Sequence, residues 1–480
     1  MRIVLVTFAI TLLGCTKVVN RVETLGAVTV PETWKAKTET LSGPVEGAWW
    51  RHFEDNGLDQ VVKTAVTDNL ELRAASARVA AAIQDLVTAK SGLYPALDFT
   101  LSNARNRQNF IGFPIPGQED GEVRSTISTN ASLRFGISWE LDLWGRVQAG
   151  KIGAIATVEA RRADLSGAWL SLTGQAAKAW FAAVEANRQV GLGRASVASF
   201  ADSEQKVRAR FEMGLRPALD LRLALTELRR SEATLQQRLE QRDRAIRQLE
   251  ILLGGYPSGG YPLGEDLPYM PATIPAGLPA ELVHRRPDIV SAERSLYAAN
   301  ARLHQSKADL KPRFALTATY GSSSPELQNL LNTDLTIWNF IQNLTLPIFS
   351  GGRLRAAVDK NEALIYEAAA SYENLLLRAY SEVESALAAE DLLAEREKML
   401  EAATQEALAA QRLSEERYRL GLTDIITLLS AQRTAINSEA ELIQLRRQRL
   451  DNRVDLHLAL GGGFQSDISN APTPKVGGVS

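Results

Sequence analysis

Few residues in this chain are spaced for chemistry of their own. Glu140 and Asp142 form a close carboxylate pair, the kind of arrangement that general acid and base steps use. No histidine lies near them in sequence, so they are read as marking a junction between elements rather than as a catalytic pair. The four histidines, His52, His284, His304 and His457, are scattered, and Cys15 is the only cysteine. An intrachain disulfide is therefore impossible and a Cys/His zinc site is not expected. The Gly255-Tyr256-Pro257-Ser258-Gly259-Gly260 stretch follows no strand pattern and no Lys-Ser/Thr comes after it, so it is no phosphate loop. The expectation is a chain with no catalytic residues, no metal and no cofactor beyond a covalent lipid.

That lipid would sit on Cys15. Arg2 supplies a short positive region, and Ile3 to Leu13 form an apolar run of signal-peptide length, too short to span a bilayer. Leu12-Leu13-Gly14-Cys15 resembles a bacterial lipobox, in which the thiol is acylated and the chain is then cut before the cysteine. The alternative is a secretory signal with an accidental cysteine. An acyl chain anchors a protein without making it span, so any pore must come from elsewhere in the chain.

The whole chain has 480 residues, of which 45% are hydrophobic and 23% charged, with a net charge of −2. That is enough apolar material for a large core. The near-zero charge argues against a nucleic-acid partner, which usually demands a strong basic excess. No run of 18 apolar residues is present, so no transmembrane helix is expected.

Length alone would suggest about three domains, but the chain reads as two copies of one unit. A constant spacing of 207 residues separates Arg210-Phe211-Glu212-Met213-Gly214-Leu215 from Arg417-Tyr418-Arg419-Leu420-Gly421-Leu422. The same spacing relates Leu249 to Gly255 with Leu456 to Gly462, and Gly145-Arg146-Val147 with Gly352-Arg353-Leu354. Each copy has the order helix, two strands, very long helix, helix. The first helix is expected from about Leu58 to Ser91. Apolar residues at Leu165, Trp169, Leu172, Ala176, Trp180 and Val184, three or four apart, place a helix over 146–213, on the order of 100 Å long at ~1.5 Å per residue. Its partner is expected over 353–420. Gly214 and Gly421 end these helices; Pro217 is placed to open the next one, and a helix is expected from Thr423 to Leu460.

The strands carry the sharpest pattern. Between Ser125 and Leu141 the chain alternates strictly, with Ile127, Ala131, Leu133, Phe135, Ile137, Trp139 and Leu141 on one face and polar residues on the other. Leu97, Phe99 and Leu101 alternate likewise, as do Phe314, Leu316, Ala318 and Tyr320. Trp338, Phe340, Leu344, Leu346 and Ile348 share a face interrupted by Gln342. Apolar outside and polar inside is the pattern of a membrane β-barrel, although a soluble sheet half-buried on a core alternates in the same way. Four strands cannot close a barrel of the known single-chain kind, which needs about eight. If they span a membrane, several chains must share one barrel, because open sheet edges cannot face lipid.

Taken in order and duplicated, certain segments resemble the TolC-like outer-membrane factors of tripartite efflux systems, specifically the NodT-type lipoprotein branch. They are the lipobox; Trp49-Trp50-Arg51-His52-Phe53; Trp139 to Arg146; Gly277-Leu278-Pro279 through Arg285-Arg286-Pro287-Asp288-Ile289; Leu346-Pro347-Ile348-Phe349 with Gly351-Gly352-Arg353; and the two Arg-aromatic-x-x-Gly-Leu segments. The resemblance implies a mainly α fold with a membrane β-barrel contribution. As a homotrimer it would form a 12-stranded outer-membrane barrel on a long periplasmic α-helical barrel. It implies a passive duct for small molecules, fed by an inner-membrane RND-type pump through a periplasmic membrane-fusion adaptor. Thr16, in place of aspartate after the lipidated cysteine, is in keeping with the outer membrane.

The organisation then runs as a signal peptide over 1–14 and a lipid-anchored linker over 15–48, followed by a first repeat over 49–255 with strands near 96–107 and 125–141. A proline-rich linker follows over 256–279, then a second repeat over 280–462 with strands near 313–321 and 335–349, and a disordered tail over 463–480. The resemblance assigns adaptor docking to the helix tips Arg210, Gly214, Leu215, Arg417, Gly421 and Leu422. It makes Asp220, Asp424 and Ile426 candidates for the periplasmic aperture, although Asp424 is also well placed for the helix dipole. Gly145, Gly351 and Gly352 permit the turns between strand and helix. The rival is a lipid-anchored helical spacer without a channel.

Overall fold

A computed structural model describes residues 31–36, 47–110, 124–271 and 286–462. Cys15, the loop 111–123, the segment 272–285 and the tail 463–480 lie outside the described residues. Helices α1 (Asn56–Asp68) and α2 (Leu70–Ser91) precede strands β1 (Ala96–Phe110) and β2 (Arg124–Leu141). The long α3 (Arg146–Glu212) and α4 (Ala218–Leu252) complete the first copy. The second holds α5 (Pro287–Ala308), β3 (Arg313–Ser324), β4 (Thr336–Thr345), α6 (Arg353–Arg419) and α7 (Ile425–Ala459). The long helices have 67 residues each. No helix among the described residues is long and apolar enough to cross a membrane.

Several bounds differ from the sequence expectation. The single helix expected over 58–91 is two. Asn69 takes an extended backbone (ψ 128), and its side-chain oxygen accepts from the N–H groups of Glu71 and Leu72 at 2.9 and 3.0 Å. It caps a new helix while its amide donates to Leu252 O. Strand β4 ends at Thr345 rather than near 349, because Pro347 has no N–H to offer a ladder.

The chain divides into two compact units that cut across its repeats rather than between them. One compact unit takes Ala81–Glu159 and Arg294–Ala370, and so holds all four strands. The other takes Ala27–Ala80, Ala160–Glu293 and Ser371–Ser480. Each unit therefore draws on both copies.

The helical unit is built on three buried clusters. The largest joins Trp49, Trp50 and Phe53 to Leu58, Val61 and Val62 of α1, Trp180, Phe181 and Val184 of α3, Leu249 of α4 and Val454 of α7. Asp55 fixes the start of α1: one carboxylate oxygen accepts from Gly57 N and Leu58 N, and the other accepts from Trp180 Nε1 at 2.8 Å. The linker after α4 also belongs to this core, since Tyr261, Leu263, Leu267 and Met270 pack on it. Glu250 organises its first turn, accepting from Ser258 Oγ, Gly259 N and Gly260 N at 2.7 to 3.1 Å. Trp34, inside the segment expected to be an unpacked tether, is buried with Ile289, Leu376, Val383 and Leu456. The carboxylate of Glu384 holds the next two residues, accepting from Lys35 N and Ala36 N at 2.8 Å each.

Candidate functional site

The sheet has the order β1-β2-β3-β4, every pair antiparallel. The register aligns the apolar faces across all four strands. Phe99 pairs with Phe135, Phe135 with Tyr320 and Tyr320 with Trp338, so one row of the sheet is wholly aromatic. The rings of Phe99 and Phe135 lie 5.2 Å apart. Adjacent rows hold Leu97, Ile137, Ala318 and Phe340, then Trp139 and Leu316 with the interrupting Gln342, then Leu141, Phe314 and Leu344. From Leu133 to Leu141 this band covers about 26 Å of strand at ~3.3 Å per residue, or roughly 20 Å of height at a barrel tilt of about 40°, most of the ~25 Å apolar belt of a membrane barrel.

Almost every residue of β1 and all of β4 are exposed, so among the described residues no helical layer covers the apolar face. A half-buried soluble sheet would have that face packed. The opposite face is polar and internally bonded. Ser102 and Ser132 hydroxyls lie 2.7 Å apart, Thr319 Oγ1 donates to Asn339 Oδ1 at 2.9 Å, and Ser323 Oγ donates to Asn130 Oδ1. Strands β1 and β4 are each paired on one side only.

The junctions between strand and long helix are tight. Gly145, Gly351 and Gly352 all have positive φ (73°, 59° and 82°), which glycine adopts without a Cβ penalty. The carboxylate pair seen in the sequence has a structural use here. Glu140 takes a two-pronged bond from Arg146 at 2.9 and 2.8 Å, and Asp142 accepts from Gln148 N at 2.7 Å, capping the start of α3.

At the far ends of the long helices the two copies use the same stop. Leu215 N donates to Arg210 O and Gly214 N to Phe211 O; Leu422 N donates to Arg417 O and Gly421 N to Tyr418 O. This is the glycine-terminated C-cap with crossed backbone bonds, and it requires the positive φ of Gly214 (71°) and Gly421 (76°). Beyond the backbone the copies diverge. Tyr418 is buried at 1% exposure, whereas its counterpart Phe211 is 38% exposed. Tyr418 packs with Phe200, Val207, Ala224, Ile425 and Leu428. Burial pushes its phenol pKa up.

Arg210 joins the tips of the two copies. Its guanidinium donates to Tyr418 O at 3.1 Å and Arg419 O at 2.9 Å and lies 4.7 Å from the Tyr418 ring centre. Arg216 flanks the same ring at 5.8 Å and stands 4.0 Å from the Asp220 carboxylate. Asp424 caps α7, accepting from Thr427 N at 2.7 Å, and that backbone bond holds its carboxyl below the usual range. Gln432, a buried polar residue of α7, donates to Ser199 and Ser203 hydroxyls. The sequence-expected set is therefore gathered only in part: Arg210 lies over Tyr418, and Asp220 reaches the same cluster through Arg216, a residue the sequence reading did not single out. Leu215, Leu422 and Ile426 are exposed, alongside Met213, Leu219 and Leu420, and Arg417 is exposed too. Tyr418 and Gln432 were missed: Gln432 is marked by a polar residue among the apolar ones of its helix face, whereas Tyr418 has an aromatic counterpart at Phe211 and no local signal of its own.

A sheet with an uncovered apolar face, joined by glycine turns to paired 67-residue helices, is a distinctive combination. A profile of the outer membrane efflux protein family matches residues 61–255 and 278–462. The chain belongs to this family. Among efflux proteins it is similar to the probable efflux pump outer membrane protein TtgC of Pseudomonas putida, 31% identical over 431 residues, 89% of this chain and 87% of that one. Outer membrane protein OprJ of Pseudomonas aeruginosa is 31% identical over 453 residues, 92% of each chain. Of solved structures, the outer-membrane channel OprN matches at a TM-score of 0.82 with 27% identity, covering 92% of this chain and all of that one. The CmeC outer membrane channel of Campylobacter jejuni shares the fold at a TM-score of 0.85 and 23% identity, over 92% and 93% of the two chains. This chain is an efflux channel component of the Gram-negative outer membrane.

Proposed function

We propose that three copies of this chain form a passive duct that carries small organic molecules outward. The observation that carries this reading is the sheet: four strands with an uncovered apolar face and two unpaired edges. Edges cannot stand open in lipid, and four strands cannot enclose a lumen. Three chains contribute 12 strands, β4 of one meeting β1 of the next, with the polar faces turned inward. The long helices would continue that lumen into the periplasm, where an adaptor and an inner-membrane RND-type pump drive the cargo. The names of the relatives, which include antibiotic, toluene and solvent efflux proteins, favour apolar or amphiphilic organic cargo.

The tip residues take their roles within this reading. Leu215, Leu422, Ile426 and their exposed apolar neighbours form the surface offered to the adaptor tip. Arg210, Arg216 and Asp220 hold the two hairpins of one chain together around Tyr418, and so bias the aperture towards closed. Asp424 serves α7 as its cap. Cys15, acylated, would add a lipid anchor to the barrel. The deciding measurement is the mass of the detergent-solubilised particle from the outer-membrane fraction. A particle of three chains is expected. A monomer would leave four strands with open edges and would sink the duct.

A further inference from the structure

The end of the sheet away from the helices carries charge that the duct does not use. Strands β1 and β2 run past the rest of the sheet: β3 pairing stops at Ala131 opposite Ser324, while β1 and β2 continue as a two-stranded ribbon to Phe110 and Arg124. Along β1 the apolar face reads Leu97, Phe99, Leu101 and then, with no change of alternation, Asn103, Arg105 and Arg107. The two arginines thus share the face that meets lipid. Their cross-strand partners are Thr129 and Ile127, both uncharged. Both arginines are exposed, and among the described residues neither makes an ion pair. No aspartate or glutamate occurs between Asp98 and Phe110 or between Arg124 and Trp139. Glu119, Asp120 and Glu122 belong to the loop 111–123, outside the described residues.

Their height is set by the strand. While on β2 the apolar face has one further apolar residue, Ile127, opposite Arg107, Arg105 lies four residues past Leu101, the last apolar residue of that face on β1, or about 13 Å along the strand. A barrel tilt of about 40° reduces this to roughly 10 Å above the apolar band. The polar layer of a bilayer is about 5–8 Å deep on each side, and a long arginine side chain bends back towards it. The aromatic row of Phe99, Phe135, Tyr320 and Trp338 lies one step below Leu101, where aromatic residues mark a membrane interface.

We propose that Arg105 and Arg107 bind the phosphate groups of phosphorylated glycolipid in the outer leaflet, so that each chain carries a lipid-clasping basic pair on the outside of the barrel. Guanidinium groups suit phosphate because their paired N–H donors match two of its oxygens. Two such residues two apart on one strand face can share one diphosphorylated headgroup or hold two neighbours. The clasp rests on the outer-membrane duct reading, and in a trimer it recurs three times.

The test uses full-length protein purified in mild detergent and native mass spectrometry. Diphosphorylated lipid A and its dephosphorylated form serve as probes. Wild-type protein is expected to retain the phosphorylated lipid, and Arg105→Gln/Arg107→Gln to retain at least about tenfold less. Arg134→Gln, the same charge change on the opposite face, is expected to retain as much as wild type. Equal retention by wild type and the double variant overturns the proposal, as does equal retention of the dephosphorylated lipid. Displacement by millimolar inorganic phosphate also overturns it, because the site would then read free phosphate. Should the double variant not assemble, the wild-type comparison between the two lipids decides alone. The same spectra report the number of chains, so a wild-type particle that is not a trimer counts against the duct rather than against the clasp.

Discussion

Replacing Arg210 with glutamine should loosen the helix tips by an amount the geometry bounds. The guanidinium gives two hydrogen bonds to carbonyls of the opposite copy, at 3.1 and 2.9 Å, and covers the Tyr418 ring at 4.7 Å. A hydrogen bond from a charged donor contributes about 1.5–3 kcal/mol net. Partial exposure lowers that to about 1 kcal/mol each, since the freed carbonyls can turn to water. The ring contact adds about 0.5 kcal/mol at a site of this exposure. The total, about 2.5 kcal/mol, corresponds to roughly a 70-fold shift between joined and separated hairpins. Hydrogen exchange can read it directly, because the Gly421 and Leu422 amides are bonded within the cap that Arg210 covers. Their exchange should quicken by about 70-fold in Arg210→Gln, and single channels in planar bilayers should dwell longer in open states. Tyr418→Leu should produce part of the same change, and the double variant less than the sum of the two. Exchange rates within about twofold of wild type, or fully additive effects, would refute the idea that Arg210 ties the copies together.

Two further outcomes follow from other parts of the chain. Burial raises the Asp451 carboxyl from 3.8 to about 6; one of its oxygens has no hydrogen-bond partner and the other takes Arg447. The folded chain therefore binds this proton more tightly than the unfolded one, and its stabilising effect is full below pH ~4 and lost as pH rises through about 6. Between pH 5 and 7 that loss is about 1.3 kcal/mol. Asp451→Asn lacks the titration, so the difference in α7 protection between wild type and variant should shift by this amount, and a difference independent of pH would be contrary. Gly321→Ala would place a Cβ 2.0 Å from Leu133 O and 2.9 Å from Arg134 Cα. Backbone cannot yield cheaply, so β2 and β3 should part at a cost of about 3 kcal/mol and the band that an assembled particle gives on a native gel should disappear. Gly136→Ala, with open space around it, should keep that band; survival of the assembly in Gly321→Ala would contradict the register.

What could be read from the sequence was whatever had a short period or a backbone requirement. The strands showed themselves because apolar residues alternate over Ile127 to Leu141, and the helix ends because only glycine takes the turn after Met213 and Leu420 easily. What stayed hidden depends on partners far away in the chain. Trp34 lies in a stretch with no periodicity, and its pocket is assembled from residues 289 to 460. Asn69 looked like one more polar residue on a helix, and its break is visible only once Leu252 O is seen beside it. The proline-rich linker reads as a spacer until Glu250 is found holding its glycines. The duplication itself concealed the tip: Phe211 and Tyr418 occupy the same place in the repeat, and nothing local says which ring is buried.

The half-finished sheet also has a genetic consequence. In the proposed trimer a chain completes its hydrogen bonding only with two others and shares the fate of its companions. When a cell makes equal amounts of normal chain and a copy that folds yet blocks the passage, random mixing leaves only about one trimer in eight wholly normal. Such an allele would be dominant, and export would fall far below half. A null allele, which contributes no chain to the mixture, would merely halve the supply.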